Sequence, residues 1–127
     1  ISENGEMVVI RSDDGMFEIV GKVNGSAVAF IFDTGATSVT LTAEDAKAAG
    51  MDLSDSDFTA RVSTANGEAL AAVVTIDVLQ VGAVSERNVN ALVAKAGALD
   101  QSLLGHSFLD RLTSYEVRGD KLTLRFK

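Results

Sequence analysis

The sequence predicts a mainly β domain, a small barrel or sandwich with one or two short helices. Three observations carry that prediction. Apolar residues recur with period two along much of the chain, as half-buried strands require. Asn-Gly pairs sit between the alternating runs, where hairpins turn. Only residues 42–50 and 107–111 read as helix.

Taken in order, Phe17, Ile19, Gly21 and Val23 alternate with Glu18, Val20 and Lys22, and Asn24-Gly25 then turns the chain into a partner strand over 27–32. Thr42 suits the N-cap of the first helix, Glu44 and Asp45 suit the positive end of its dipole, and Gly50 suits its stop. A second Asn-Gly, Asn66-Gly67, lies between strands over 58–64 and 68–79 and predicts a longer hairpin with an exposed tip. Val81-Gly82 interrupts the next strand, which resumes over 88–94. Residues 115–118 and 121–126 flank Gly119-Asp120 as a third hairpin. The alanines of 43–49 are small enough to pack close to a sheet and read as core.

The 127 residues fit one domain over 1–127, large enough to bury a core without staples. The absence of cysteine excludes disulfides and thiol chemistry but suits either redox compartment. A formal charge of −7 argues against nucleic acid as a partner. Apolar runs such as 69–76 are too short to span a bilayer. No signal peptide is visible, and the chain begins at Ile1, so it reads as a processed or cloned fragment, which leaves room for a targeting segment outside it.

One stretch raises a chemical question. Phe30-Ile31-Phe32 runs straight into Asp33-Thr34-Gly35-Ala36, placing a carboxylate at the end of a very hydrophobic strand. A buried charge is costly unless it is paired, so either the strand ends in a solvated turn or a carboxyl group is wanted in a protected place. Two carboxyl groups sharing one proton can activate a water and protonate a carbonyl oxygen. A strand ending in Asp-Thr-Gly fits such a site. The apolar residues hold it rigid, the threonine hydroxyl can anchor an amide, and the glycine lets another backbone approach.

The segment resembles the active-site stretch of the retropepsin-like aspartic proteases. Leu103-Leu104-Gly105, followed by His106-Ser107-Phe108-Leu109, resembles the hydrophobic-hydrophobic-Gly segment and short helix of that family, and the Asn66-Gly67 hairpin stands where the family has its flap. By chance Asp-Thr-Gly turns up in roughly 2% of chains this long, so the tripeptide is weak alone and gains from the other two features. Asp-Thr-Gly occurs once here. The resemblance therefore implies a retropepsin-like, closed β-barrel half that works as a homodimer, with Asp33 of each copy holding the attacking water. It further implies that Thr34 locks the two loops across the axis and that Gly35 and Ala36 line the floor. The flap tip, Thr64, Ala65, Asn66 and Gly67, would close over an extended polypeptide, with Leu104 also at the substrate. No cofactor and no metal are implied. Bacterial proteins of this type often carry an N-terminal membrane anchor, which implies a tethered domain on the periplasmic side.

Two positions depart from the retroviral pattern. An arginine after the Leu-Leu-Gly-type glycine, and its acidic partner after Asp-Thr-Gly-Ala, are replaced by His106 and Thr37, so that ion pair is absent at both ends. Residues 121–126 alternate cleanly and read either as an interfacial strand or as an internal hairpin strand. His106 is the only histidine; with no partner ligands and no nucleophile elbow, it reads as structural. Arg118-Gly119-Asp120 reads as a hairpin turn, and Asp52, Asp55 and Asp57 as a solvated loop without the spacing of a calcium site. Two functions follow: an aspartic endopeptidase, or a retropepsin-fold module that binds or dimerises with little cutting.

Overall fold

The computed structural model describes residues 2–3, 5–64 and 67–126. In chain order its strands are β1 (Ser2–Glu3), β2 (Glu6–Ile10), β3 (Glu18–Val23), β4 (Ser26–Phe32), β5 (Val39–Leu41), β6 (Phe58–Thr64), β7 (Gly67–Val81), β8 (Val84–Ala94), β9 (Ser102–Leu104), β10 (Ser114–Arg118) and β11 (Lys121–Arg125). Helix α1 (Ala43–Ala48) follows β5, and α2 (His106–Leu109) follows β9.

The first hairpin forms as the sequence dictates. Asn24 at φ 50° and Gly25 at φ 88° are both left-handed, as a two-residue type I′ turn requires. Asn24 does more than turn the chain. Its Oδ1 accepts the Val78 amide at 3.0 Å and its own amide donates to the Val78 carbonyl at 2.9 Å, fastening the hairpin to β7. The last residues of β7 then pair with β3, Gly21 opposite Val81 and Val23 opposite Leu79. That pairing closes a ring of strands in the order β3-β4-β9-β5-β8-β7, a closed barrel. The start of β7, residues 67–70, lies outside the ring and pairs only with β6, Val62 opposite Ala69 and Arg61 opposite Leu70. One long strand thus serves the barrel with one end and a projecting hairpin with the other.

The alternation of β3 and β4 sends Ile19, Val23, Val28 and Phe30 inward. Ile19, Phe30, Leu41, Ile76 and Leu104 meet in the core, each at most 1% exposed. Helix α1 is capped as expected: Thr42 Oγ1 accepts the Asp45 amide at 3.0 Å, Ala46 is buried, and Gly50 leaves the helix at φ 87°. Helix α2 begins at His106, one residue before the predicted start, and buries Phe108 and Leu109.

The structure corrects one local reading, refines a second and decides between two alternatives for a third. Strand β8 begins at Val84, not at 88, because Gly82 (φ 59°) turns tightly enough to set Val81 opposite Val84. The interruption falls inside the strand at Asn88 (φ 54°), where the Arg111 guanidinium donates to the carbonyls of Arg87 (2.7 Å) and Asn88 (2.9 Å). The acidic stretch contains a 3-10 turn, Asp55–Asp57, in which Asp57 Oδ2 accepts the Ser54 amide at 2.8 Å. Strand β11 is internal: it pairs with β10 on one edge and β2 on the other, so neither edge is open to a second copy in this arrangement. Asn66, at the predicted tip of the second hairpin, lies outside the described residues. Among the described residues, no helix is long and apolar enough to cross a membrane.

Candidate active site

Strand β4 ends at Phe32 and delivers Asp33 to the wall of a cleft. Phe30 and Ile31 are buried behind it, and the Phe32 ring stacks edge-on between Phe17 (6.4 Å) and Tyr115 (5.3 Å). The strand therefore cannot slide without breaking core contacts, which fixes the carboxylate in space. Its backbone amide donates to the Leu104 carbonyl at 3.3 Å, tying it to β9. The turn folds back on itself: the Gly35 amide donates to Asp33 Oδ1 at 2.8 Å, and the Ala36 amide to the Asp33 carbonyl at 3.2 Å. An amide aimed at a carboxylate oxygen orients it. Thr34 and Gly35 are exposed beside it, and Asp33 and Ala36 are half-buried.

Gly105 shows why the second motif ends in glycine. A Cβ there would lie 2.4 Å from the Ser38 carbonyl oxygen and 2.7 Å from that of Ala36. The loop after Asp33 therefore crosses directly over Gly105, and the His106 amide donates to the Ala36 carbonyl at 2.9 Å. Two serines flank this crossing. Ser102 Oγ, fully buried, accepts the Thr42 amide at 3.0 Å and donates to Asp45 Oδ2 at 2.6 Å. Ser107 Oγ accepts the Val39 amide at 2.8 Å and donates to the Asn90 carbonyl at 2.6 Å. Sequence reasoning passed over both, since a serine beside an apolar run carries no signal until the chain folds.

Asp33, Gly35 and Ala36 line a cleft of about 630 Å³. The hairpin contributes Val62 and Ser63 from β6 and Leu70 and Ala71 from β7. Leu92, Ala94 and Leu99 complete an apolar lining, in which Asp33 and Arg61 are the charged groups among the described residues. Thr64 and Gly67 face each other at the end of the hairpin ladder, while Ala65 and Asn66 lie outside the described residues. Leu104 does not reach the cleft. It is fully buried, and strand alternation places Leu103 at the wall instead.

His106 sits against the same loop. Its Nε2 is 2.9 Å from the Thr34 carbonyl oxygen and its Nδ1 is 2.9 Å from Asp110 Oδ1. The Asp110 hydrogen bond, then the Thr34 carbonyl, raise its pKa above the ordinary histidine value. Thr37 is exposed at the cleft. The position after Leu-Leu-Gly is thus tied to the Asp-Thr-Gly loop through an imidazole and a main-chain carbonyl. Among the described residues, no group of three or more His, Cys, Asp or Glu side chains converges to hold a metal ion.

Comparison with known proteins places this geometry in context. The model of a family described as gag-polyprotein putative aspartyl protease matches residues 19–111. An uncharacterized protein in the cobV 5′ region of a Sinorhizobium sp is 42% identical over 120 residues, covering 94% of this chain and 52% of that protein. An uncharacterized protein of Rickettsia prowazekii (strain Madrid E) is 38% identical over 125 residues, covering 98% and 53%. The chain spans about half the length of these curated relatives. Among solved structures, a retropepsin-like aspartic protease from Rickettsia conorii superposes with a TM-score of 0.86 at 38% identity, over 96% of this chain and 91% of that one. The EIAV protease, solved with the inhibitor HBY-793, superposes with a TM-score of 0.63 at 14% identity, over 87% and 92%, a likeness of fold alone.

Proposed function

The chain belongs to the gag-polyprotein putative aspartyl protease family and has the retropepsin-like fold, and from that premise we propose that residues 1–127 form one aspartic endopeptidase domain acting as a homodimer. The observation that carries this reading is the placement of Asp33. It ends a strand locked in the core, its Oδ1 is held by the Gly35 amide, and it stands on the wall of a cleft otherwise lined largely by apolar side chains. The cleft offers a single carboxylate among its described lining residues, so the two-carboxylate chemistry needs Asp33 of a second copy.

In this mechanism one Asp33 carboxylate takes a proton from a water held between the pair. The water oxygen attacks the peptide carbonyl carbon while the other, protonated carboxyl gives its proton to the carbonyl oxygen. The tetrahedral diol then collapses: the C–N bond breaks, the carboxyl that took the water's proton delivers it to the departing amine, and the other carboxylate takes a proton back from a diol hydroxyl, leaving a carboxyl product and the pair again sharing one proton. In this reading Thr34, which is exposed, bonds across the two-fold axis of the homodimer, and Gly35 and Ala36, which line the cleft, serve as its floor. The substrate is an extended polypeptide with apolar side chains, laid along β6–β7 by main-chain hydrogen bonds, with Thr64, Ala65, Asn66 and Gly67 as the closing tip. Because β11 is paired on both edges, the second copy joins through other surfaces than that strand.

The test is cleavage of an unfolded protein substrate from about pH 3 to about pH 8, at several enzyme concentrations, beside Asp33→Asn. Specific activity rising with concentration, and lost in the variant, supports the shared pair. Silence of both proteins throughout would reduce the chain to a retropepsin-fold module that binds or dimerises without cutting.

A further inference from the structure

We infer that His106 is a positioning residue: as an imidazolium it clamps the Asp-Thr-Gly loop to α2, donating from Nε2 to the Thr34 carbonyl and from Nδ1 to the Asp110 carboxylate. The loop matters to catalysis only if Asp33 is the catalytic group proposed above, so this role rests on that reading.

The geometry poses a proton-counting problem. Both ring nitrogens lie 2.9 Å from oxygen atoms that only accept. A neutral imidazole carries one N–H and one lone pair, so it can satisfy either oxygen but must turn its lone pair on the other. The imidazolium satisfies both at once. The charges around the ring agree with this. The C-cap of α2 is Asp110, and the loop supplies the Thr34 carbonyl with the Asp33 carboxylate one residue earlier. Strand β5, packed on α2, brings no ionisable side chain, and β8, also packed on α2, carries two charges, Arg87 and Glu86, the latter engaged by Arg111 at 3.2 Å. Asp110, three-quarters exposed, acts on the ring through a hydrogen bond and through its charge.

The position is also mechanically direct. The His106 amide holds the Ala36 carbonyl while its ring holds the Thr34 carbonyl, so one residue grips the loop on both sides of Gly35. Gly35 in turn donates the amide that orients Asp33. Losing the ring proton removes one of the two ring bonds and leaves the chain between Asp33 and Ala36 freer. The sign follows from the raised pKa. The clamp is complete below the ordinary histidine value and weakens as pH rises through the higher folded-state value.

The experiment uses the isotope-labelled full chain and follows the His106 ring and the Gly35 and Ala36 amides by NMR from about pH 5 to about pH 9. It is run in an Asp33→Asn background, which removes that carboxylate from the loop, alone and combined with Asp110→Asn, His106→Gln or His106→Arg. The ring is expected to titrate above the ordinary value, and the loop amides to shift with the same midpoint. Asp110→Asn, a change at an exposed position, lowers both midpoints together. His106→Gln flattens the amide titration, and His106→Arg, a donor that does not titrate, gives loop amides that keep their slow exchange at the alkaline end. A ring that titrates at or below the ordinary value would overturn the clamp, as would loop amides that ignore the ring midpoint or stay unmoved by Asp110→Asn. No arm reads proteolysis, so an inactive enzyme leaves the clamp standing, and a failed clamp leaves the peptidase reading standing.

Discussion

The two walls of the cleft are built on opposite principles. On the Asp33 side every segment is pinned from several directions: β4 by its buried phenylalanine, the loop by Gly105 and His106, and the neighbouring strands by the hydroxyls of Ser102 and Ser107. On the hairpin side, β6 has one strand neighbour among the described residues, Leu70 is 39% exposed, and the Arg61–Glu68 pair (3.3 Å) lies in solvent. If Asp33 works as proposed, a carboxylate that meets its partner within hydrogen-bond distance needs the first kind of wall. A surface that must admit and release a polypeptide suits the second, because few buried contacts have to break when it moves.

Substitutions on the two sides should therefore behave differently, and the largest effect belongs to the carboxylate itself. Asp33→Asn is expected to cut kcat/KM by at least about a thousandfold. Because Asp33 is only half-buried, it should leave stability within about 0.5 kcal/mol of wild type, read by chemical denaturation. A variant that still cuts would remove the basis of the contrast. Next comes Gly105→Ala. Its Cβ would press on two backbone carbonyls that cannot turn aside, and a loss of about 2–4 kcal/mol is expected, with activity falling alongside. A variant as stable as wild type would mean that the rigid wall yields.

Ser102→Ala strips a fully buried hydroxyl from between the Thr42 amide and Asp45, leaving the amide unsatisfied. A loss of about 1–3 kcal/mol is expected in the same denaturation experiment. The smallest effect is predicted for Arg61→Ala. Its ion pair is exposed at both ends, so stability should change by less than about 0.5 kcal/mol, while KM for basic or acidic peptides is free to move. A loss as large as that of Ser102→Ala would show the hairpin wall to be as firmly built as the other.

Much of this could be read directly from the chain. Asn24-Gly25 specifies its turn through two left-handed conformations, Thr42 and Gly50 bracket a helix, and the strands on both sides of the Asn66-Gly67 pair follow from alternation. Asp33 stood out because a carboxylate at the end of an apolar strand violates the usual pattern. Strands β5 and β9 were not legible as strands, since three residues hold no period. Their conformation comes from pairing: Val39 with Ala91, Phe30 with Ser102, Thr40 with Leu103. The same limit explains Leu104. Two adjacent leucines look alike in sequence, and only the strand's orientation in the barrel sends Leu104 to the core and Leu103 to the cleft.

By itself, then, the sequence determined the local turns, the caps, the alternating strands and the presence of one Asp-Thr-Gly, because each depends on residues within a few positions of one another. What only the tertiary structure decided was which distant groups meet. It closed the ring through β3 and β7, buried β11 between two neighbours, and laid the Asp33 loop across Gly105. It also turned a lone histidine 72 residues from Thr34 onto that residue's carbonyl. Such contacts join elements far apart in the chain, and the packing of the whole core, not any local preference, sets their geometry.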